Sequence, residues 1–421
     1  MPVRYRILAV LFGVSFVNYF LRNNLSIALP SIQTEFKFTT EDLGWILGAF
    51  NFAYAVFQIP GGVFGERLGP RRSVTILCLA WGVLTVCTGF VPSIMVSTSL
   101  GAMLGLMAVR FLMGVFNAPF YPVCAATFGS WFPAANWAFP NAFLSSGLTL
   151  GQAALGPVVT LLIVAYGWRM SFYAVAPLGF LAAALWWWYG RDTPAEHPAV
   201  SARERTLIAL DRPPIPPVLA TAAARIMWLK VLTQRDILLL AASYFCMNVV
   251  FYIFSQWLFT YLVQARGFTQ LEGGFLSALP FIVGALLASV GGLSCDRLCR
   301  WLGPRWGCRV PGVVGMVLVA VLLLAGIRAA NPYIAVGLLS LCFGFTQFTE
   351  GAYWQACTYV AGPHTATATG VLNTGGNLAG FLAPVIGLMV DRLGWFPTFA
   401  SGSAFALMSA ALWLFVRSEP A

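Results

Sequence analysis

Arg22 sits in the apolar stretch VNYFLRNNLSIALPSI (17 to 32), with Asn18 four residues before it, Ser26 four residues after it and Tyr19 three residues before it. Residues three and four apart share one face of a helix, so these side chains form a polar stripe on an otherwise apolar element. A guanidinium stays charged and presents a flat fork of donors that matches a carboxylate. Arg22 is therefore a candidate anchor for an anionic ligand. A second ionisable group, Glu350 in QFTEGAYWQA, is the one acid of the fourteen that falls well inside a predicted helix. A carboxyl at that depth is costly unless it meets water or a partner, which makes it a candidate proton carrier, with a structural hydrogen-bonding role as the alternative. Arg110, with Asn117 two turns along its face and Tyr121 one turn further, is a second deep cation. Its expected role is gating or ligand support, and the pattern leaves three partners open: Asn117 with backbone carbonyls, Glu350, or a bound anion.

Weaker polar candidates follow the same spacing rule. Asn373 and Asn377 lie one turn apart among Gly375, Gly376 and Gly380, where small residues allow close helix approach and amides can reach ligand hydroxyls or neighbouring helices. Tyr252 and Gln256, Trp354, and Ser145, Ser146 and Gln152 are further candidates for lining a cavity. Enzyme chemistry has little to work with. The two histidines, His197 and His364, fall in loops, and Cys295, Cys299 and Cys308 have no nearby histidine or fourth cysteine, so they read as ordinary thiols rather than as a metal site. No cofactor and no metal are expected.

The elements that must position these groups are membrane helices. Of 421 residues, 59% are hydrophobic and 9% charged, with a mean hydropathy of +0.80, whereas a soluble domain carries about 25% charged residues. Apolar stretches long enough to cross a bilayer fall near 7 to 29, 42 to 63, 74 to 92, 99 to 127, 138 to 163, 169 to 189, 236 to 264, 272 to 294, 310 to 328, 333 to 360, 367 to 390 and 396 to 416. The fold expected is an all-α membrane protein of twelve transmembrane helices in two six-helix bundles, 1 to 190 and 236 to 421. A polar, proline-rich cytoplasmic linker, 191 to 235, joins them and has room for one short surface helix. The first apolar run is too long for a cleaved leader and reads as the first helix.

The net charge of +10 is explained by orientation rather than by nucleic acid. If both termini are cytoplasmic, seventeen basic residues lie inside and five outside (Lys37, Arg169, Arg266, Arg328 and Arg392), leaving Arg22 and Arg110 within helices. That bias, with short loops, points to a bacterial inner membrane. The nine cysteines lie mostly in apolar runs or on the inner side, without the pairing of a disulfide framework.

The two sets of six helices are related. Phe38-Thr39 and Gly44 recur as Phe268-Thr269 and Gly274, Gly61-Gly62 as Gly291-Gly292, and Glu66-Arg67 as Asp296-Arg297, all at an offset of 230. The offset is 234 at LGPR, 68 to 71 against 302 to 305, and 227 at Gly167-Trp168 against Gly394-Trp395. Small loop insertions and deletions in a duplicated six-helix unit account for this pattern. Parallel repeats of this kind form one large plan of secondary transporters, with the ligand site expected near mid-membrane where the repeats meet.

GGVFGERLGPRR (61 to 72) and GGLSCDRL (291 to 298) resemble the cytoplasmic loop motif of the major facilitator superfamily, whose charged residues, here Glu66, Arg67, Arg71, Asp296 and Arg297, would gate by forming and breaking charge pairs. VNYFLRNNLSIALPSI, ILGAFNFAYAVFQIPGG (46 to 62), RFLMGVFNAPFYP (110 to 122), RDTPAEHP (191 to 198), QWLFTYLVQARGFT (256 to 269) and NTGGNLAGFLAP (373 to 384) together resemble its anion:cation symporter family. That resemblance implies transport of a small organic anion such as a sugar acid, driven by protons or by sodium. It also matches Tyr19 and Arg22 to the family's substrate-binding positions. Many members carry acids where this chain has Leu21 and Asn117, neither of which takes up a proton. The function expected is proton-coupled symport by a monomer through alternating access, with an uncoupled facilitator or anion exchanger as the alternative. A drug or lipid exporter or a ligand sensor is a more distant one.

Overall fold

No water reaches the backbone inside a bilayer, so every apolar pass must satisfy its own N–H and C=O groups, and helices do so within one segment. The computed structural model describes residues 2–94, 98–133, 138–209, 233–361 and 365–417, which are helical apart from turns and the stretch 190–201. The helices are α1 (Val3–Phe36), α2 (Thr40–Val56), α3 (Gln58–Ile94), α4 (Ser99–Asn117), α5 (Phe120–Trp131), α6 (Ala138–Tyr166), α7 (Trp168–Val175), α8 (Pro177–Tyr189) and α9 (Ala202–Ala209). After the linker come α10 (Arg235–Tyr252), a π-helical turn (Ile253–Trp257), α11 (Leu258–Gln264), α12 (Gln270–Leu276), α13 (Leu279–Arg328) and α14 (Pro332–Ala361). The last are α15 (Thr365–Leu378), a 3-10 turn (Ala379–Leu382), α16 (Ala383–Leu393) and α17 (Trp395–Phe415).

Ten stretches among the described residues are long and apolar enough to cross a membrane. One of them, Gln270–Arg328, reverses at Gly303 and supplies two passes. The run from Thr40 through α2 to the reversal at Gly69 in α3 supplies one more. The twelve passes expected from the sequence are thereby present.

Packing sorts the chain into two units, residues 1–38 with 49–218 and residues 39–48 with 219–421. In the first unit, Gly147 and Gly151 lie one turn apart on α6 and face the carbonyls of Phe12 and Phe16, one turn apart on α1. A side chain at either glycine would collide with the α1 backbone, so small residues set this close approach, as is common where lipid offers no hydrophobic drive. In the second unit, Gly291 abuts the Phe348 backbone, and Gly344 meets Val283 and Leu287, which interlocks α13 with α14. The first turn of α2 packs in this unit too. The Asp391 carboxylate accepts from the N–H groups of Thr40 (3.1 Å) and Glu41 (2.7 Å), where a helix start favours negative charge.

The duplicated sequence has a backbone counterpart. The described residues with positive φ are Lys37, Gly69, Gly167, Gly267, Gly303 and Gly394, and they pair as Lys37 with Gly267, Gly69 with Gly303 and Gly167 with Gly394 at the same three offsets. Thr39 and Asp42 bond reciprocally at the start of α2, as Thr269 and Glu272 do at the start of α12. The expected linker is described to residue 209. Its short helix α9 supplies Glu204, whose carboxylate accepts from the N–H groups of Val3 (3.1 Å) and Arg4 (3.0 Å) at the start of α1. Residues 210–232 lie outside the described part.

Gly69 and Gly303 differ in surroundings although both have φ near +75 to +78°. A Cβ on Gly69 would come within 2.9 Å of the Asp192 carboxylate, which holds the Arg71 N–H at 2.6 Å, whereas nothing lies within 4 Å of one on Gly303. Alanine at either site carries the backbone cost of the left-handed region, about 1 to 2 kcal/mol. Gly69→Ala should also displace Asp192 and so lower the melting temperature in detergent more than Gly303→Ala does. Equal shifts would show that the carboxylate adds nothing to that turn.

Candidate functional site

In the first unit, α1 carries Arg22 at 5% exposure, deep among aromatic rings. Its guanidinium carbon lies 4.9 Å from the Tyr19 ring centroid, 4.6 Å from that of Phe50 and 4.7 Å from that of Tyr54. Phe50 and Tyr54 are one turn apart on α2, so a single helical face supplies two walls of this box. Ring faces attract a cation, and a desolvated contact of this kind contributes about 2 kcal/mol. Arg110, from α4, lies over the same Phe50 ring at 4.8 Å and donates from Nη1 to the Arg22 carbonyl at 3.0 Å. Of the partners the sequence left open for Arg110, a backbone carbonyl is thus the one observed. Its Nε is buried and makes no hydrogen bond.

Asn117 is engaged elsewhere. Its Oδ1 accepts from the Asn18 amide at 2.8 Å and its own amide donates to the Met113 carbonyl at 2.8 Å. The positions where relatives by resemblance carry acids therefore hold a buried leucine, Leu21, and one half of a neutral amide pair. Tyr121 completes this cluster edge-on to Tyr19, with its hydroxyl 3.3 Å from Ser15 Oγ. Ser26 is buried on α1 as its spacing required. Ser145 and Ser146 on α6 are exposed, and the Ser145 hydroxyl donates to the Asn141 carbonyl, whereas Gln152 is buried with an Nε2 that has no partner.

In the second unit, α14 places Glu350 beside two donors. Its Oε1 accepts from the Tyr244 hydroxyl at 2.6 Å and from Trp354 Nε1 at 2.8 Å. Trp354 follows Glu350 by one turn, so that contact was within reach of sequence spacing, but Tyr244, on α10, gave no signal to distinguish it from a packing aromatic. Asn377 accepts from the Tyr252 hydroxyl at 3.0 Å and donates to the Asn373 carbonyl at 2.8 Å, which joins α10 and α15 in one amide and hydroxyl network. Gln256 lies in the π-helical turn at 7% exposure, and its Oε1 has no hydrogen-bond partner. Single π turns in long helices recur at functional sites, and nothing in the apolar stretch 236 to 264 distinguishes this one from regular helix.

The expected gating residues are less concentrated. Arg71 stacks on the Trp187 ring at 4.4 Å and donates to the Trp187 carbonyl, Asp296 accepts from Gln355 at 3.2 Å, and Arg67 and Arg297 are exposed. The side chain of Glu66 lies outside those described, as does His364. Cys295, Cys299 and Cys308 bring their sulfurs within 4.8 Å of one another, the one group of ligand-type atoms of this kind found among the described residues.

Gly376 governs how Tyr244 reaches Glu350. A Cβ there would lie 2.5 and 2.6 Å from Tyr244 ring carbons and 2.8 Å from the Asn248 amide. Gly376→Ala should push the ring aside, at a cost of about 1 to 3 kcal/mol for overpacking, and break the hydroxyl contact to Glu350. Lower thermal stability in detergent is the expected reading, and a variant as stable as the parent would show that the Tyr244 position is not set by this contact.

The sequence matches the Major Facilitator Superfamily over residues 11–384. It is 30% identical to the "Probable sulfoacetate transporter SauU" of Cupriavidus necator, covering 97% of this chain and 93% of that one. It is 29% identical to the "Probable galactarate/D-glucarate transporter GarP" of Escherichia coli, covering 99% and 95%. It is also 27% identical to the "Hexuronate transporter" of Bacillus subtilis, covering 98% and 94%. Two solved structures share the fold at low identity. A bacterial homologue of the human lysosomal transporter Spinster, inward-facing and occupied, superposes with a TM-score of 0.77 at 15% identity over 99% of this chain and 97% of that one. The D-xylose-proton symporter superposes with 0.75 at 13% identity over 99% and 100%. The helical passes and a match spanning most of the sequence together make this chain a member of the major facilitator superfamily, an integral membrane protein of a transporter family and not an enzyme.

Proposed function

We propose that the chain takes up a small organic monoanion, a sugar acid or short carboxylate, together with one proton by alternating access. The observation that carries this reading is the buried Arg22 guanidinium, boxed by Tyr19, Phe50 and Tyr54 with Arg110 against the same ring. Two deep cations in one cluster suit an anionic solute, and the relatives are named as transporters of sulfoacetate, of galactarate or D-glucarate, and of hexuronate. The amides of Asn373, Asn377 and Gln256, with the Tyr252 hydroxyl, supply groups suited to solute hydroxyls. Glu350 is the proton site of this reading, since it is an ionisable group held within a membrane helix by two neutral donors. In this reading the protein is a monomer of the bacterial inner membrane, with bundles 1 to 190 and 236 to 421, both termini and the linker 191 to 235 in the cytoplasm, and gating at the two charged loops.

A negative-inside membrane potential opposes entry of a monoanion by about 2.3 kcal/mol per 100 mV, and one accompanying proton removes that charge. Uptake into proteoliposomes should therefore follow a pH gradient with the voltage clamped by potassium and valinomycin, and change little when the clamp is varied. A hexuronate, galactonate and a short monocarboxylate such as lactate, each carrying one negative charge, are the first solutes to try. Failure of all three, or uptake that ignores the pH gradient, sinks the reading. Leu21 and Asn117 at the positions of the usual acids favour one rival, an uncoupled facilitator or exchanger. That rival is supported if counterflow is fast while no gradient, of protons or of sodium, drives accumulation.

A further inference from the structure

We infer that Cys295, Cys299 and Cys308 form a binding site for a thiophilic d10 cation, Zn2+ or Cu+, at the reversal of α13. The inference is independent of the transported solute. Cys295 and Cys299 are four residues apart and so share one face of the first arm of α13. The chain then reverses at Gly303, with φ +78°, and returns Cys308 to that face. Gly307 makes the return possible, because any Cβ there would overlap the backbone of Cys299. The resulting spacings are 3.6 Å from Cys299 Sγ to Cys308 Sγ and 3.9 Å from Cys295 Sγ to Cys308 Sγ, with all three sulfurs within 4.8 Å of one another.

Those distances fit a metal. Metal–sulfur bonds of about 2.3 Å place two sulfurs about 3.8 Å apart in a tetrahedral site and about 4.0 Å apart in a trigonal one. Two edges of the triangle already have this length, and the third is no longer than 4.8 Å. Soft thiolates select Cu+ and Zn2+ over the hard cations. Cys295 and Cys308 are buried while Cys299 is half-buried, so the centre has one open side for entry and for a water as a fourth ligand of Zn2+. Arg297, Arg300, Arg305 and Arg309 outnumber the one acid, Asp296, in this stretch of the sequence.

The duplicated architecture supplies a control within the molecule. The first copy of this reversal, at Gly69, has the same left-handed glycine and no cysteine between residues 61 and 76. There the Asp192 carboxylate holds the turn through the Arg71 N–H. The thiols are thus not required for the turn, and their convergence on one point in the second copy is an addition to it. Metal binding releases the thiol protons and ties the segment before Gly303 to the one after it.

The test uses the full chain, purified in detergent under a non-thiol reductant and stripped with a chelator. Cd2+ titration should give a thiolate-to-metal charge-transfer band that saturates at one ion per chain. Competition against a chromophoric zinc chelator, and against bicinchoninate for Cu+, identifies which cation binds more tightly. Cys295→Ser and Cys308→Ser should weaken binding beyond the roughly 10- to 100-fold that outer-shell changes cost, while Cys78→Ser and Cys342→Ser, elsewhere in the helices, leave it unchanged. On the unaltered protein, bound Zn2+ or Cu+ should slow alkylation of Cys299, a reading that does not depend on any variant folding. Absence of the band, or an undiminished band in Cys295→Ser with Cys308→Ser, overturns the inference. So does a Cys299–Cys308 disulfide that forms while no metal is taken up.

Discussion

Lysine in place of Arg22 should weaken uptake of an organic anion by roughly 10- to 100-fold, the effect of losing one charge-assisted hydrogen bond of about 1.5 to 3 kcal/mol. The substitution keeps the positive charge, so a loss of this size reports geometry rather than charge. A guanidinium offers two parallel donors to one carboxylate, and its flat, weakly hydrated face rests on the rings of Tyr19, Phe50 and Tyr54 at 4.6 to 4.9 Å. An ammonium is a compact, strongly hydrated point charge that cannot do both. The loss should appear as a raised apparent KM, and as a smaller ligand-induced rise in melting temperature, in a protein that still elutes as one species. Arg22→Ala should go further and leave uptake near background, since Arg110 remains tied to the α1 carbonyl rather than freed to replace it. Parental affinity in Arg22→Lys would remove Arg22 from the binding site.

Glu350→Gln should separate solute movement from proton movement. The amide keeps an acceptor oxygen for Tyr244 and Trp354, so the local packing survives, but it has no proton to exchange. With one proton per solute, a gradient of one pH unit drives about tenfold accumulation of a monoanion in the parent protein, the equivalent of about 1.4 kcal/mol. The variant should accumulate none while still exchanging labelled for unlabelled solute across preloaded vesicles. Full accumulation in Glu350→Gln would place the coupling proton elsewhere, and loss of exchange as well would make Glu350 a structural residue.

The features that sequence spacing exposed are those that lie along one helix. Arg22 with Tyr19, Glu350 with Trp354, and Asn373 with Asn377 are all separated by three or four residues, and in the structure each pair is hydrogen-bonded. Two of the reversals were legible as well, because the repeated LGPR and Gly-Trp segments contain Gly69 with Gly303 and Gly167 with Gly394, which are positive-φ positions of the backbone. What spacing could not supply is contact between helices. Phe50 and Tyr54 look like any aromatic pair facing lipid until α1 is placed against them, and Tyr244 is one aromatic among many until α14 brings Glu350 to its hydroxyl. Arg110 had three plausible partners on paper, and the backbone carbonyl it uses carries no side-chain signature at all. The three thiols stand out as a cluster in the sequence, but a spacing of nine between Cys299 and Cys308 becomes contact between sulfurs only once the chain has turned at Gly303.

The π-helical turn at Ile253–Trp257 has a consequence for how this pass can vary. Such a turn accommodates one residue more than regular α-helix, and each residue of helix advances the azimuth by about 100°. Everything beyond it in α11, including Tyr261, which stacks on Phe399 at 4.5 Å, is therefore in phase with its neighbours only because that extra residue is looped out. Apart from Gln256, residue identities within the turn can drift while its length cannot. Along this pass, loss or gain of a single codon is a rotation of a whole helical face rather than a local edit.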